Sequence, residues 1–473
     1  MKPLLRRPLL GCLLFLMVLP SLVLAQAEPA PTPENVFGIV EGMWFPELTC
    51  DLNPGWERLI FDWAAHQPDG PASWTGFLNI PDEWLRGATA CNRQVVAVIK
   101  NVPDWATDGT PGIGIPRGLY LDIDDPGNVW ANFMRMAADY YTSRGVYRFI
   151  ILNEPDIQPG VYGYEFEGTL EDYARMVKVA YLAAKEGNPA AVIHLAGTTY
   201  WHDTNSGRRL YTDRLLEHIR NDPDGAAHNY YFEALSLHIY FRTDTVYDLV
   251  QLYRGLLDQH GFTDKAIWIN ETNASPNLDP DWPVVRPQYQ VSLEQQASFL
   301  IQAAALGLAA GADHIAAYKL YDQQLPQGGE SFGLLSPRHP EIAPRPAFYA
   351  WQAVIDHFNG TTRAVLARTD TLNLVRLEKI NEQHIFVAWA RTAESVEVEI
   401  SATSDKAYLI DQRGGITIIR PQNGVYRMTL PGATCDENDG CAVGGVVSIL
   451  VQPEGDSTAR EIGRDASVEL TFD

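Results

Sequence analysis

From Val36 to about residue 322, short apolar runs alternate with amphipathic stretches. The runs fall at 36–45, 57–66, 94–102, 147–153, 191–198, 234–240, 266–270 and 314–321, eight in all. Several are apolar at nearly every position, as in Val95-Val96-Ala97-Val98-Ile99, which is the mark of strands buried on both faces. Between most runs the period becomes helical. In 127–143, Val129, Phe133, Met136, Ala137 and Tyr140 fall on one stripe. Further helices are expected at 171–186, 208–220, 245–259, 292–309 and 346–358, the last opening on Pro346, whose fixed φ suits a first turn. The first two helices are poorly signalled, so a short or broken one is expected there. The alternation predicts an α/β fold with a parallel sheet. Eight repeats suit a (β/α)8 TIM barrel over 36–358.

Asn359-Gly360 marks a change of period. Leu372-Asn373-Leu374-Val375-Arg376-Leu377, Val396-Glu397-Val398-Glu399-Ile400 and similar runs alternate with a period of two and are parted by turns such as Gln422-Asn423-Gly424. Residues 359–455 therefore read as a small antiparallel β-sandwich, and 456–473 as a polar tail. At the other end, Lys2, Arg6 and Arg7 precede an apolar run from Leu9 to Leu24 and small residues at Ala25 and Ala27. Residues 1–25 read as a secretory signal, and 26–35 as a Pro-rich linker. The apolar run is short for a spanning helix and is broken by Pro20. Leu9-Leu10-Gly11-Cys12 mimics a lipoprotein cleavage box, but the apolar run follows it instead of preceding it. No other stretch approaches spanning length. The expectation is a secreted, periplasmic or extracellular protein without stable membrane association.

Composition narrows the partners. The 473 residues carry a formal charge of −23, which repels phosphate backbones and argues against nucleic acid. Hydrophobic content of 46% supports a large core. Four cysteines lie beyond the expected signal, an even count that permits disulfides in an exported chain. Cys435 and Cys441 flank a turn-rich segment suited to a local bridge. Cys50 and Cys91 are then left, bridged or free, because the strand reading places them at different ends of the barrel.

Barrel chemistry sits at the C-terminal ends of strands. The fourth run ends Leu152-Asn153-Glu154-Pro155, and the seventh ends Ile269-Asn270-Glu271-Thr272. The two glutamates lie 117 positions apart (271 − 154), three repeats of 39. Most glycosidic cleavage needs two carboxyl groups flanking the bond, one to protonate the leaving oxygen and one to attack or to activate water. The chain resembles clan A of the glycoside hydrolases, retaining enzymes on this barrel. Asn153-Glu154-Pro155 resembles the clan's acid/base motif, and Asn270-Glu271-Thr272 its nucleophile strand. The resemblance covers roughly 36–358, and the trailing sandwich resembles the accessory domain of family 39 and related enzymes. It implies that Glu154 is the acid/base, Glu271 the nucleophile and Asn153 the partner of the sugar 2-hydroxyl. His238 and Tyr240, in Leu237-His238-Ile239-Tyr240, resemble the residues that flank the nucleophile. No cofactor is implied, and the partner is a carbohydrate substrate. A catalytically inactive carbohydrate-binding barrel and a transglycosylase remain alternatives with the same residues.

Other residues have two readings each. The clan often carries a Trp at the end of the eighth strand, where this chain has Ala317-Tyr318-Lys319; Tyr318 stands in its place, and Lys319 either meets an acidic or hydroxyl-rich substrate or points to solvent. Arg58 either buttresses the carboxylates or pairs with Glu57. Trp105 offers an apolar face for sugar C–H groups or packs a loop; the same holds for Trp44, Trp201 and Trp282. The histidines lack metal-binding spacing. Gly112-Ile113-Gly114 follows no strand, which disfavours a phosphate loop, and no Gly-x-Ser-x-Gly elbow is present. Glycosylation sequons begin at Asn270, Asn273 and Asn359, and occupancy at the first would contradict a nucleophile at Glu271.

Overall fold

A computed structural model describes residues 35–472 apart from 286–287, 324, 326–327, 338–341, 438–439, 454–457 and 463–466. The expected signal and most of the Pro-rich linker lie outside the described residues. No helix among the described residues is long and apolar enough to cross a membrane.

Strands β1 (Phe37–Val40), β2 (Trp56–Asp62), β3 (Gln94–Lys100), β4 (Arg148–Ile151), β5 (Val192–Leu195), β6 (Ala234–Tyr240), β7 (Ala266–Asn273) and β8 (His314–Ala317) close a barrel in sequence order. All neighbours are parallel, with β1 closing on β8. Val40, Trp56, Val96, Val98, Ile150, Ala234, Trp268 and Ala316 fill the interior as one buried cluster. Their neighbours in sequence, such as Ile39, Ala97, Phe149, Ile151, Ile267 and Ile315, join a larger cluster with the surrounding helices. Burial on both faces is why these strands read as continuous apolar runs.

The helices fall where the amphipathic stripes lie, at Val129–Thr142, Leu170–Gly187, Tyr211–Arg220, Thr243–Gln259, Leu293–Ala309 and Pro346–Phe358. Capping boxes open two of them, Thr169 with Asp172 and Ser292 with Gln295, each satisfying backbone N–H groups that have no helical partner. After β1 the chain makes a 3-10 turn at Gly42–Trp44 and the short helix Pro46–Leu52, and after β2 the pieces Trp63–His66, Gly76–Asn79 and Asp82–Ala90. Their shortness is the reason that no stripe was legible there. Cys50, within Pro46–Leu52, is bonded to Cys91, which ends the last. Both residues precede the starts of adjacent strands, β2 and β3, and so lie at the same end of the barrel with Cα atoms 5.6 Å apart. Cys435 is bonded to Cys441.

Ten antiparallel strands follow among the described residues: β9 (Thr361–Arg368), β10 (Leu372–Lys379), β11 (His384–Ala390), β12 (Val396–Ser401), β13 (Ala407–Asp411), β14 (Ile416–Ile419), β15 (Val425–Leu430), β16 (Ser448–Gln452), β17 (Ala459–Ile462) and β18 (Ser467–Leu470). They form a sheet of order β14-β13-β16-β11-β10-β9 and one of order β15-β12-β17-β18, packed around a second core that includes Leu374, Phe386, Val398, Tyr426 and Leu450. The segment 456–473, read from the sequence as a polar tail, supplies β17 and β18. Their short length and charged residues, Arg460, Glu461 and Glu469, hide the alternation.

Candidate active site

A cleft of about 1020 Å³ opens at the C-terminal ends of the strands, lined by Arg58, Asn153, Glu154, Tyr240, Glu271, Tyr318 and Lys319 among others. Alternation along β2 turns Trp56 and Arg58 toward the axis, and Ile60 lines the cleft. Along β6 it brings Ala234 and, two and three pairs later, His238 and Tyr240 to the same side.

The two glutamates reach the cleft by departures from regular strand. On β7, Leu237 of β6 pairs with Ile269 but His238 pairs with Glu271, so Asn270 is an extra residue, a β-bulge. The β8 side is displaced at the same place. Trp268 points inward, so unbroken alternation would turn Glu271 toward the helices; the bulge re-aims it into the cleft. After β4, Leu152 (φ 63°) and Glu154 (φ 43°) adopt left-handed backbone, which takes Leu152 out to the helices and brings Asn153 and Glu154 to the cleft. Asn270 and Asn273 are fully buried, which rules out glycosylation at either in the folded chain.

Glu271 is buried and held at both oxygens: Arg58 pairs with Oε1, and the Tyr240 hydroxyl donates to Oε2. Burial works against its charge, but Arg58, His238 and the Tyr240 hydroxyl outweigh it and hold the carboxyl below its ordinary pKa. Glu57 does not compete for Arg58, because it is paired with Arg93 at 3.2 Å. Glu154 is more open, and its Oε1 lies 2.6 Å from Nδ1 of His238. That nitrogen is also 3.6 Å from Oε2 of Glu271. Burial disfavours a charged imidazole there, yet Glu271 and Glu154 together hold His238 above its ordinary pKa. Burial and then the Glu271 charge push the Tyr240 and Tyr318 hydroxyls well above the usual phenol range, so both stay protonated. One donor atom each from Glu154, His238 and Glu271 lie within 4.8 Å of one another. Among the described residues they are the group able to share a cation, but Arg58 already neutralises Glu271 there.

Asn153 donates to Glu165 at 3.2 Å, and Glu165 also pairs with Lys100 at 2.6 Å. Tyr318 stands edge-on to Tyr240 and Phe332, making an aromatic wall. Lys319 does not point to solvent: it lines the cleft and pairs with Glu41 at 2.7 Å. Trp105 lies outside the cleft lining; its indole donates to the Gln67 carbonyl at 2.6 Å and packs edge-on to Trp63. Trp44 packs on Trp84, Trp282 donates to Gly329, and Trp201 is exposed, none of them lining the cleft. Glu41, Lys100 and Glu165 escaped the sequence reading. Glu41 and Lys100 obey the rule that singled out the two catalytic candidates, since each is a polar residue closing an apolar strand. Glu165 sits in an irregular loop with no such signal.

No protein-family model matches the sequence, and no curated protein does so. Solved structures match the fold. One is a family 39 glycoside hydrolase from Bacteroides cellulosilyticus, with 15% identity and a TM-score of 0.65 over 89% of this chain and 81% of that one. Another is a family 30 endoxylanase from Clostridium papyrosolvens, with 13% identity and a TM-score of 0.56 over 89% and 97%. A third is a monomeric β-xylosidase from Caulobacter crescentus, with 12% identity and a TM-score of 0.57 over 90% and 98%. The chain shares the barrel-and-sandwich fold of these glycoside hydrolases.

Proposed function

We propose that the protein is a secreted retaining glycoside hydrolase that cleaves O-glycosidic bonds of an oligo- or polysaccharide by double displacement. The observation that carries this reading is the unequal hold on two facing carboxylates. Arg58 and Tyr240 keep Glu271 ionised, whereas the Glu154 carboxyl meets, among the described residues, the imidazole of His238 and the open cleft. Two nearby carboxylates resist ionising together, and Glu271 is the one held as its anion, which leaves the proton-donor role to Glu154. Their close approach also suits retention, where the carboxyl groups stand roughly 5–5.5 Å apart and leave no room for an intervening water.

Glu271 attacks the anomeric carbon while Glu154 gives its proton to the departing oxygen. Glu154 then takes a proton from water, the water oxygen bonds to the anomeric carbon, and Glu271 is released. Asn153 faces the same space and accepts the role of holding the sugar 2-hydroxyl. His238 aligns Glu154, and Tyr240 aligns Glu271. The N-terminal basic–apolar–small pattern and the two disulfides support export, with a mature start near Ala25 or Ala27.

Substituting each carboxylate tests the roles. Glu154→Ala should cripple alkyl glycosides and spare dinitrophenyl glycosides, whose leaving groups need no proton. Glu271→Gly should lose on the order of 10⁴-fold or more in rate, and azide should restore turnover as a glycosyl azide of inverted configuration. Proton NMR of the first wild-type products should show the substrate's own anomer. Inversion, or a mechanism-based fluorosugar label on another carboxylate, would overturn the assignment; a mature protein that still begins at Met1 would overturn the reading of 1–25 as a cleaved secretory signal.

A further inference from the structure

Three cations line the described part of the cleft, and each already has a carboxylate. Arg58 is paired with Glu271, Lys100 with Glu165 at 2.6 Å, and Lys319 with Glu41 at 2.7 Å. Glu41 follows β1 in left-handed backbone (φ 57°), and its amide donates to the Arg58 carbonyl at 3.0 Å, which fixes where the side chain starts. The side chains of Glu41 and Lys319 are only 15% and 16% exposed, and Lys319 lines the cavity beside Tyr318.

We propose that Glu41 and Lys319 form a specificity-determining pair that reads adjacent hydroxyls of an uncharged sugar and rejects a sugar bearing a carboxylate. The inference rests on the glycosidase reading and names its substrate class. An ammonium has three donors, of which Glu41 engages one; a carboxylate has about four acceptor sites, of which Lys319 engages one. Lys319 lines the cavity and Glu41 stands at its ammonium, so a donor of the lining has an acceptor beside it. Neighbouring hydroxyls, each of which donates and accepts, complement that arrangement. A uronate in the same place would set its charge against Glu41, Glu165 and Glu271, with no unpaired cation among the described lining residues to receive it. A dehydrated charge without a partner is strongly disfavoured.

The test uses the full mature protein and pairs of 4-nitrophenyl glycosides, both anomers, that differ only in a CH₂OH or a COO⁻ group, such as glucosides and glucuronides. The wild type should favour the uncharged member in kcat/KM by about 100-fold or more, the scale of like-charge juxtaposition. Glu41→Gln leaves Lys319 free, so it should raise KM for the uncharged glycoside and improve the uronide, narrowing the ratio about 10-fold or more. Lys319→Met should weaken the uncharged glycoside without improving the uronide. A merely structural pair would lower both members alike in Glu41→Gln, and that result overturns the proposal, as does a wild type that prefers uronides. Calorimetric binding of the same sugars and uronic acids separates this inference from the reading beneath it. No turnover, with uncharged sugar bound and weakened by Glu41→Gln, rejects the glycosidase and keeps the specificity site; binding of neither, or tighter binding of the uronic acid, rejects the site.

Discussion

Arg58 gives Glu271 its charge in nearly dry surroundings. The carboxyl is buried, which alone would raise its pKa above the ordinary 4.5, and the guanidinium is the largest of the influences that reverse the effect. In the proposed mechanism Glu271 works as its anion, so the wild type should hold its kcat/KM as pH falls to below 4.5, the value from which its carboxyl is depressed. Arg58→Met removes the guanidinium and leaves the burial. The carboxyl pKa should then rise, and the acid limb of the kcat/KM profile should move to higher pH. Rates on the plateau should fall by about 10²-fold or more, since a hydrogen bond to the proposed nucleophile is lost with the charge. The measurement is a pH series on one aryl glycoside. An acid limb that stays in place would mean that Arg58 does not set the ionisation of the group reported by that limb.

A strand alone does not aim these side chains, and this limits what the sequence can disclose. His238 and Tyr240 are legible only through the resemblance of Leu237-His238-Ile239-Tyr240 to the clan's sixth strand, and the two-residue alternation on β6 is the physical reason that both reach one side. Glu154 and Glu271 stand out because each closes an apolar run, and because their spacing matches the repeat. Their geometry, however, depends on an extra residue at Asn270 and on left-handed backbone at Leu152 and Glu154, and nothing in the local letters announces either. The partner of Arg58 is equally hidden. Arg58 is level with Val40 on the adjoining β1, the residue after Ile39, which is level with Ala317, and Ala317 is level with Thr272 on β7; the stagger of the closed sheet thus brings a residue near the start of β2 to the end of β7. Gly197, beyond the end of β5, shows how closely the elements meet: a Cβ there would lie 2.3 Å from the ring of His238. Gly197→Ala should displace the imidazole and loosen its hold on Glu154. Activity on alkyl glycosides should fall about 10²-fold, as for other small misplacements of catalytic groups, while dinitrophenyl glycosides lose much less. Equal losses on both substrates would show that the displacement acts elsewhere than on proton donation.

At the scale of the whole chain, the barrel core runs on into one face of the six-stranded sheet. Val375, Leu377, Ile385, Val387, Trp389, Ile449 and Val451 belong to the same buried cluster as Phe299, Leu300 and Trp351 of the barrel helices. Polar ties cross the same boundary: Asp244 pairs with Arg391 at 2.9 Å, Ser298 donates to Gln412 at 2.5 Å, and Gln302 donates to the Gly445 carbonyl at 2.8 Å. A sheet with one face on helices and the other on a second sheet leaves β11 buried along its whole length. Two bodies joined by a thin polar seam would unfold separately, as domains usually do when few contacts cross between them. Here an apolar seam continues the core of each, so loss of the sandwich would expose barrel helices to water, and the two should unfold together. Trp389→Ala tests this from the sandwich side. Its ring is fully buried, and the truncation should cost about 3–5 kcal/mol through lost contacts and the cavity left behind. Calorimetry of the wild type should show one transition, and the variant should show one transition at lower temperature, with glycosidase activity lost across the same interval although the substitution is remote from the cleft. Two transitions, of which the variant moves only one while activity follows the other, would show that the sandwich is an attached and independent domain.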